Sequence, residues 1–399
     1  MRRVLSILLL LAAACVPGSA DGDEVGSESD DGEPEQPFDY CDGAPPDDDC
    51  YAAKRDPGSE RVALAMAIAD RYMDQLPADE RSWGWREAVF MFSITELHRV
   101  SGEARYHDYA AAWMDHHIEV GYSIHSSDSC APVAVAAFLW IEDGDPAYLE
   151  VLDDARVYLD EVALRDEDGA LNHHGAQGSV TLWVDSLFML GNVLTRWGEA
   201  RDEAALLDDI DLQLRLFAGH LQGEDGLFAH AYDWPAADTS LRWGRGNGWA
   251  AVAMADYLRA RTIRGEAEAA GPLEIRAVAE AQAQAALAAQ DQSGAWWIIM
   301  NHPGEIYLET STTALLAYGL ARGYRYGIHG PQVLPAIDLA VAAVEERIAY
   351  DDQQRPYVTT IAGPTIPGDL DYYAGIDLVD DLGYGVGAVI LALLESSGL

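Results

Sequence analysis

From residue 59 onward the chain repeats one local pattern twelve times: an amphipathic stretch of helical period, closed by Gly, Pro or an Asp-rich turn. The first stretch, near 60–76, shows the logic. Ser59 stands as its cap, Pro77 as its stop, and Val62, Met66, Ala69, Met73 and Leu76 recur on one face. Further stretches fall near 84–100, 103–119, 130–142, 146–163, 181–197 and 201–221, then near 248–264, 273–290, 310–323, 332–349 and 382–396. The stretch near 248–264 ends in Arg259, Arg261 and Arg264 before Gly265, the charge and cap preference of a helix C-terminus. Strand signals are sparse. The best is Trp296–Met300 with Glu305–Leu308 around Asn301-His302-Pro303-Gly304, which reads as a hairpin between helices. Twelve helices on short loops make six helical hairpins, which can bury their stripes in a closed toroid or an open solenoid. The pairs lack the sequence repeat of a solenoid. The expected fold is therefore all-α, an (α/α)6 toroidal barrel over residues 59–399.

The N-terminus has a different character. Met1-Arg2-Arg3 and the apolar run Val4–Ala14 read as a signal peptide, residues 1–14, too short to span a bilayer. Leu11-Ala12-Ala13-Ala14-Cys15 resembles a bacterial lipoprotein signal in which Cys15 is lipidated, with ordinary signal cleavage as the alternative. The chain is expected to be exported and anchored to a bacterial cell envelope, otherwise periplasmic or secreted, with the lipid as its only membrane contact. Residues 16–50 contain thirteen acidic residues and no Lys or Arg, so 15–58 reads as a solvated tether. Cys41 and Cys50 are spaced for a small disulfide loop, which leaves Cys130 unpaired.

The net charge of −42 excludes nucleic-acid binding through a basic surface. No HExxH or CxxC spacing suggests a metal, and none is expected. Gly244-x-Gly246-x-Gly248 is neither a dinucleotide fingerprint nor a P-loop, and no GxSxG elbow occurs. No cofactor is expected. Nothing in the sequence bears on oligomeric state.

Two segments carry the candidate chemistry. The run Trp243-Gly244-Arg245-Gly246-Asn247-Gly248-Trp249 reads either as an exposed ligand wall or as a glycine-rich helix cap with core indoles. In the first reading the glycines admit a ligand, the helix start and Arg245 hold an anion, and the indoles face a sugar ring. Upstream, Asn172-His173-His174 precedes Thr181-Leu182-Trp183-Val184-Asp185-Ser186-Leu187-Phe188-Met189. Asp185 either complements a helix dipole or is a carboxyl in an aromatic setting, where burial raises its pKa and makes it a proton donor. Taken alone, Asp128 reads as a helix cap and His230 as structural or surface.

Together the segments Trp183–Met189, Gly226-Leu227-Phe228-Ala229-His230, Trp243–Trp249, Glu309-Thr310-Ser311-Thr312-Thr313-Ala314 and Gly383-Tyr384-Gly385-Val386-Gly387-Ala388 resemble glycoside hydrolase family 105. That family comprises the unsaturated rhamnogalacturonyl hydrolases, related to the unsaturated glucuronyl hydrolases of family 88. The resemblance implies the (α/α)6 barrel and an oligosaccharide substrate. It also implies removal of a terminal 4,5-unsaturated uronic acid from lyase products, by protonation and hydration of the double bond. By the same resemblance Asp185 is the proton donor and Asp128 the second carboxylate. Trp85, Trp183, His174, His230, Trp243, Arg245 and Trp249 bind substrate, with His173 as the alternative to His174. Gly175 follows His174 where some members carry a basic residue, and Trp85 stands where others have tyrosine; both bear on the aglycone. Two rival functions remain open, an (α/α)6 glycosidase acting on saturated glycans and a lipoprotein that binds acidic oligosaccharides without turnover.

Overall fold

The computed structural model describes residues 55–399. The signal segment 1–14, Cys15, the Cys41–Cys50 loop and the tether up to residue 54 lie outside the described residues. Helix α1 (Glu60–Gln75) is followed by α2 (Trp85–Ser101), α3 (Ala104–Val120), the single turn α4 (Ser127–Cys130), α5 (Val133–Asp143) and α6 (Pro146–Val157). The middle of the chain forms α7 (Ser186–Met189), α8 (Gly191–Ala200), α9 (Ala204–Leu221), α10 (Gly244–Ile263) and α11 (Ala270–Ala289). Last come α12 (Thr310–Arg325), α13 (Leu334–Glu345), the short α14 (Leu370–Ala374) and α15 (Gly383–Glu395).

Setting aside the short α4, α7 and α14, the helices alternate between two rings. Helices α2, α5, α8, α10, α12 and α15 pack side by side into a closed inner ring, with α15 returning to α2. Helices α1, α3, α6, α9, α11 and α13 lie outside them. Burial follows this division. Every residue of α12 is buried, whereas α1 buries only Val62, Ala65, Ile68, Ala69 and Tyr72. Ser59 caps α1 as expected, its Oγ accepting from the Val62 N–H at 3.2 Å. Met66 and Met73, expected in the buried stripe, sit at its margin instead.

Four two-stranded antiparallel ribbons join the helices at their ends. Strands β1 (Leu182–Trp183) and β2 (Ala231–Tyr232) pair, as do β3 (Trp296–Trp297) and β4 (Leu308–Glu309). The expected hairpin is therefore present, but its paired core is two residues long on each side. Strand β5 (Ile348–Tyr350) pairs with β6 (Pro356–Val358), and β7 (Ile361–Ala362) with β8 (Leu378–Val379). These ribbons are too short for an alternating pattern to mark them in the sequence.

The inner ring is polarised along its axis. The N-termini of the inner helices carry Trp85, Trp243, Arg245 and Trp249, while their C-terminal halves hold a buried ion network. Glu395 meets Arg55 at 2.9 Å and both Arg322 and Arg325 at 3.1 Å. Arg322 also pairs with Asp256, and Arg55 reaches Glu96 at 3.4 Å. Burial alone would raise the Glu96 pKa, but Arg196, Arg99 and Arg55 hold it well below the usual carboxylate range. Arg55 is itself buried, so the folded unit begins before Ser59, the boundary expected from the sequence. A cavity of about 440 Å³ opens at this end between Phe92, Phe138, Arg196 and Ile263 and holds none of the candidate residues. Cys130 is buried and unpaired.

Removing one member of a buried ion network strands its partners without compensating charge. Glu395→Gln is expected to lower the unfolding free energy by about 3–5 kcal/mol, read from the urea midpoint.

Candidate active site

The two carboxylates come together through a histidine. His173 Nδ1 lies 2.7 Å from Ser127 Oγ and 3.0 Å from Ser186 Oγ, the residues adjoining Asp128 and Asp185. The Ser127 N–H also donates to the His173 carbonyl at 3.0 Å. Single turns α4 and α7 are thereby fastened to one ring. His173 is 3% exposed and stacks beneath Trp183, with centroids 4.3 Å apart and planes 10° apart. Burial pushes its pKa down to about 3, so it is neutral. His174 faces the other way. It is half-buried, sits edge-on to Trp183 at 5.0 Å, and its Nε2 has no hydrogen-bond partner.

Neither Asp128 nor Asp185 serves as a helix cap. Ser126 caps α4 through a reciprocal box with Ser129, and the Asp185 side chain makes no bond to the N–H groups of α7. The Asp185 carboxylate is 15% exposed, and its Oδ2 lies 3.3 Å from His230 Nε2. His230 stacks on Trp243 at 3.8 Å and meets the edge of Trp183 at 5.7 Å. Its Nδ1 lies 2.7 Å from the Tyr373 hydroxyl.

The charge distribution reverses the expectation for Asp185. Burial pushes that carboxyl up, but His230, His173 and Arg245 outweigh it, and the net shift is downward. Asp128 carries the raised pKa. Burial and then the negative charge of Asp185 push it up to about 7, with Arg86 opposing. Of the two carboxyls, Asp128 is thus the one that favours its protonated form and Asp185 the one that favours its ionised form.

The Trp243–Trp249 run is the start of α10 and not a loop before it. Its glycines serve packing. A Cβ on Gly246 would meet Trp243 Cε3 at 2.7 Å and press on Val184 Cγ1, and one on Gly248 would meet Leu315 Cβ at 2.5 Å. Asn247 is fully buried and clamps the Gly226–His230 segment, accepting from the Phe228 N–H at 2.8 Å and donating to the Phe228 carbonyl at 2.9 Å. Trp249 packs on Phe188 in the core, 0% exposed, so it lines no pocket. Trp243 is also buried and contributes one face as the backing for His230.

Arg245 departs from its expected role as well. Its Nη1 donates to the Ala362 carbonyl at 3.0 Å, and its Nη2 to the Gly363 carbonyl at 3.1 Å and Thr365 Oγ1 at 2.7 Å. The guanidinium lies between the rings of Trp243 and Tyr384, 4.8 and 4.9 Å from their centroids. Only Nε lacks a partner. Arg245 therefore clamps the segment after β7 and supplies positive charge from behind the pocket, without offering a two-pronged grip to a carboxylate. Trp85 is half-buried at the N-terminus of α2, its ring 4.7 Å from that of Tyr384.

Sequence reasoning did not single out Trp234 or Tyr373. Trp234 stands 5.1 Å from Trp183 and 5.5 Å from His174. Its place four residues after His230 was the available signal. Tyr373 lies 143 residues from the histidine it bonds, and no local pattern announces that contact. Among the described residues no cluster of His, Cys, Asp or Glu could hold a metal ion.

Gly246→Ala should destabilise the protein by about 1–3 kcal/mol through overpacking against Trp243 and Val184. Thermal unfolding measures this loss, and an unchanged midpoint would refute the packing role.

A family model described as Glycosyl Hydrolase Family 88 matches residues 61–398. The unsaturated rhamnogalacturonyl hydrolase YesR of Bacillus subtilis is 29% identical over 291 residues, covering 70% of this chain and 81% of that protein. A solved possible member of the GH105 family from Klebsiella pneumoniae superposes with a TM-score of 0.75 at 24% identity, covering 85% and 93% of the two chains. The unsaturated glucuronyl hydrolase of Bacillus sp. GL1 gives 0.65 at 17% identity, covering 84% and 95%. The structural likenesses bear out the expected (α/α)6 barrel.

Proposed function

The chain belongs to glycosyl hydrolase family 88, and we propose that it removes a terminal 4,5-unsaturated uronic acid from oligosaccharides released by polysaccharide lyases. The observation that carries this reading is a pair of carboxyls brought together through His173 and shifted in opposite directions, with Asp185 beside His230 and the Trp183 ring. The reaction needs both protonation states. A neutral carboxyl protonates C4 of the vinyl ether, and an ionised one takes a proton from the water that adds at C5. The resulting hemiketal opens at the ring oxygen, and the hemiacetal left at C1 expels the remaining oligosaccharide as an alcohol. Water is consumed, and no covalent glycosyl-enzyme is required.

We assign delivery of the proton to Asp185, beside the Trp183 face and His230. Asp128, with its raised pKa, holds that proton before substrate binds. The uronate brings a third negative charge, and binding it nearer to Asp185 than to Asp128 raises Asp185 the more and draws the proton across. His174 and Trp234 bind the sugar from the side of Trp183. Export and lipid attachment at Cys15 complete the reading. They are supported by the Leu11–Cys15 pattern, and Cys15→Ser should release the protein from membranes into the soluble fraction.

Incubation with lyase-generated oligosaccharides should abolish the ultraviolet absorbance of their double bond. Asp185→Asn should slow this by about 10²–10⁴-fold while leaving the helical circular dichroism intact. Turnover of saturated glycans alone would select the rival glycosidase, and saturable binding without absorbance change the binding protein. The pH profile offers a separate check. Activity should fall as pH rises through about 7, where Asp128 loses its proton. In kcat/KM, which reports the free enzyme, that alkaline limb should move to lower pH in Asp128→Asn, where the lowered Asp185 carboxyl alone is left to hold the proton.

A further inference from the structure

Tyr373 lies outside the residues that the family resemblance assigned, yet it contacts His230, whose ring faces the Asp185 carboxylate. Its hydroxyl is 2.7 Å from His230 Nδ1 and accepts from the Gly368 N–H at 3.4 Å. A phenol that accepts from a backbone N–H directs its own hydrogen elsewhere, and His230 Nδ1 is the acceptor within reach. Nδ1 therefore carries a lone pair, and the ring proton sits on Nε2. That nitrogen lies 3.3 Å from Asp185 Oδ2, and neither atom has a hydrogen-bond partner of its own. The separation is within reach of a hydrogen bond.

Tyr373 is held in place by the surrounding framework. It lies on α14, where Asp369 caps the turn by accepting from the Tyr372 N–H at 2.9 Å. The Tyr307 hydroxyl donates to the carbonyls of Tyr373 and Ile376, at 3.3 and 3.1 Å. Arg245 pins the same segment at Ala362, Gly363 and Thr365. Tyr373 itself is 1% exposed.

We propose that Tyr373 is a positioning residue that fixes His230 as its neutral Nε2–H tautomer and so keeps Asp185 able to accept the catalytic proton. The inference rests on the hydrolase reading above. A neutral imidazole offers Asp185 one hydrogen bond, whereas an imidazolium would pin the carboxylate as an anion and oppose its protonation. A hydroxyl donating to Nδ1 stabilises the neutral ring. The other charged or titratable groups facing His230 are Asp185, which favours its protonation, and Arg245 and His173, which oppose it. Burial acts in the same direction as Arg245. Burial also raises the Tyr373 phenol, which keeps it a donor throughout the working range.

The test removes one oxygen. Tyr373→Phe should lower kcat on unsaturated oligosaccharides by about tenfold with KM changed little, and should move the acid limb of kcat/KM up by about one pH unit. Nitrogen-15 NMR of the histidine rings in the unmodified enzyme should show His230 as the Nε2–H tautomer at neutral pH, and Tyr373→Phe should shift it toward a mixture or the cation. An acid limb and a tautomer both unchanged in the variant would overturn the proposal. So would an Nδ1–H tautomer in the unmodified enzyme, even if the variant failed to fold. If the unmodified enzyme left the double bond untouched, the hydrolase reading would fall, while the NMR experiment would still decide how Tyr373 and His230 are bonded.

Discussion

Closure of the inner ring is the constraint on which everything else depends. It is made where α15 returns to α2 so closely that a Cβ on Gly387 would meet the Val89 carbonyl at 2.7 Å and the Phe90 Cα at 3.0 Å. Without that seam the chain would be an open superhelix, and Trp85 at one end of the sequence could not lie against Tyr384 at the other. The same closure brings Arg55 and Glu96 to Glu395 and sets the buried charges at the C-terminal halves of the inner helices. One end of the barrel is thus tied together by ion pairs, and the other gathers the candidate site residues.

The fold was legible because each of the twelve stretches had to present an apolar face, and their spacing excluded long connections. Boundaries were legible less evenly. The stretch near 181–197 begins as a helix only at Ser186, because Leu182 and Trp183 pair with the strand that precedes Asp233. The stretch near 248–264 begins at Gly244, because its glycines are used to pack a helix against neighbours rather than to open a loop. Helical propensity alone ranks glycine as a breaker, and only the tertiary contacts of Gly246 and Gly248 explain their presence.

The site was legible in membership more than in role. Asp185, Asp128, Trp183, His174 and His230 gather at one end of the barrel. Trp249 and Arg245 were misread for the same reason: an aromatic or a cation in a glycine-rich run suggests exposure, yet both are buried here. The sequence also gave no means of telling which carboxyl keeps the proton. That depends on which of the two faces His230 and His173, a matter of angles across loops far apart in the chain. Tyr373 was beyond reach for the same reason.

The polarity of the inner ring carries one further meaning. Each helix contributes a partial positive charge at its N-terminus, and here Trp85, Ser186, Gly244, Thr310 and Gly383 all begin helices around the same opening. The protein as a whole bears a net charge of −42 and repels anions at long range. An anion that reaches this opening passes from a repelling outer field into one set by oriented peptide dipoles and the buried Arg245.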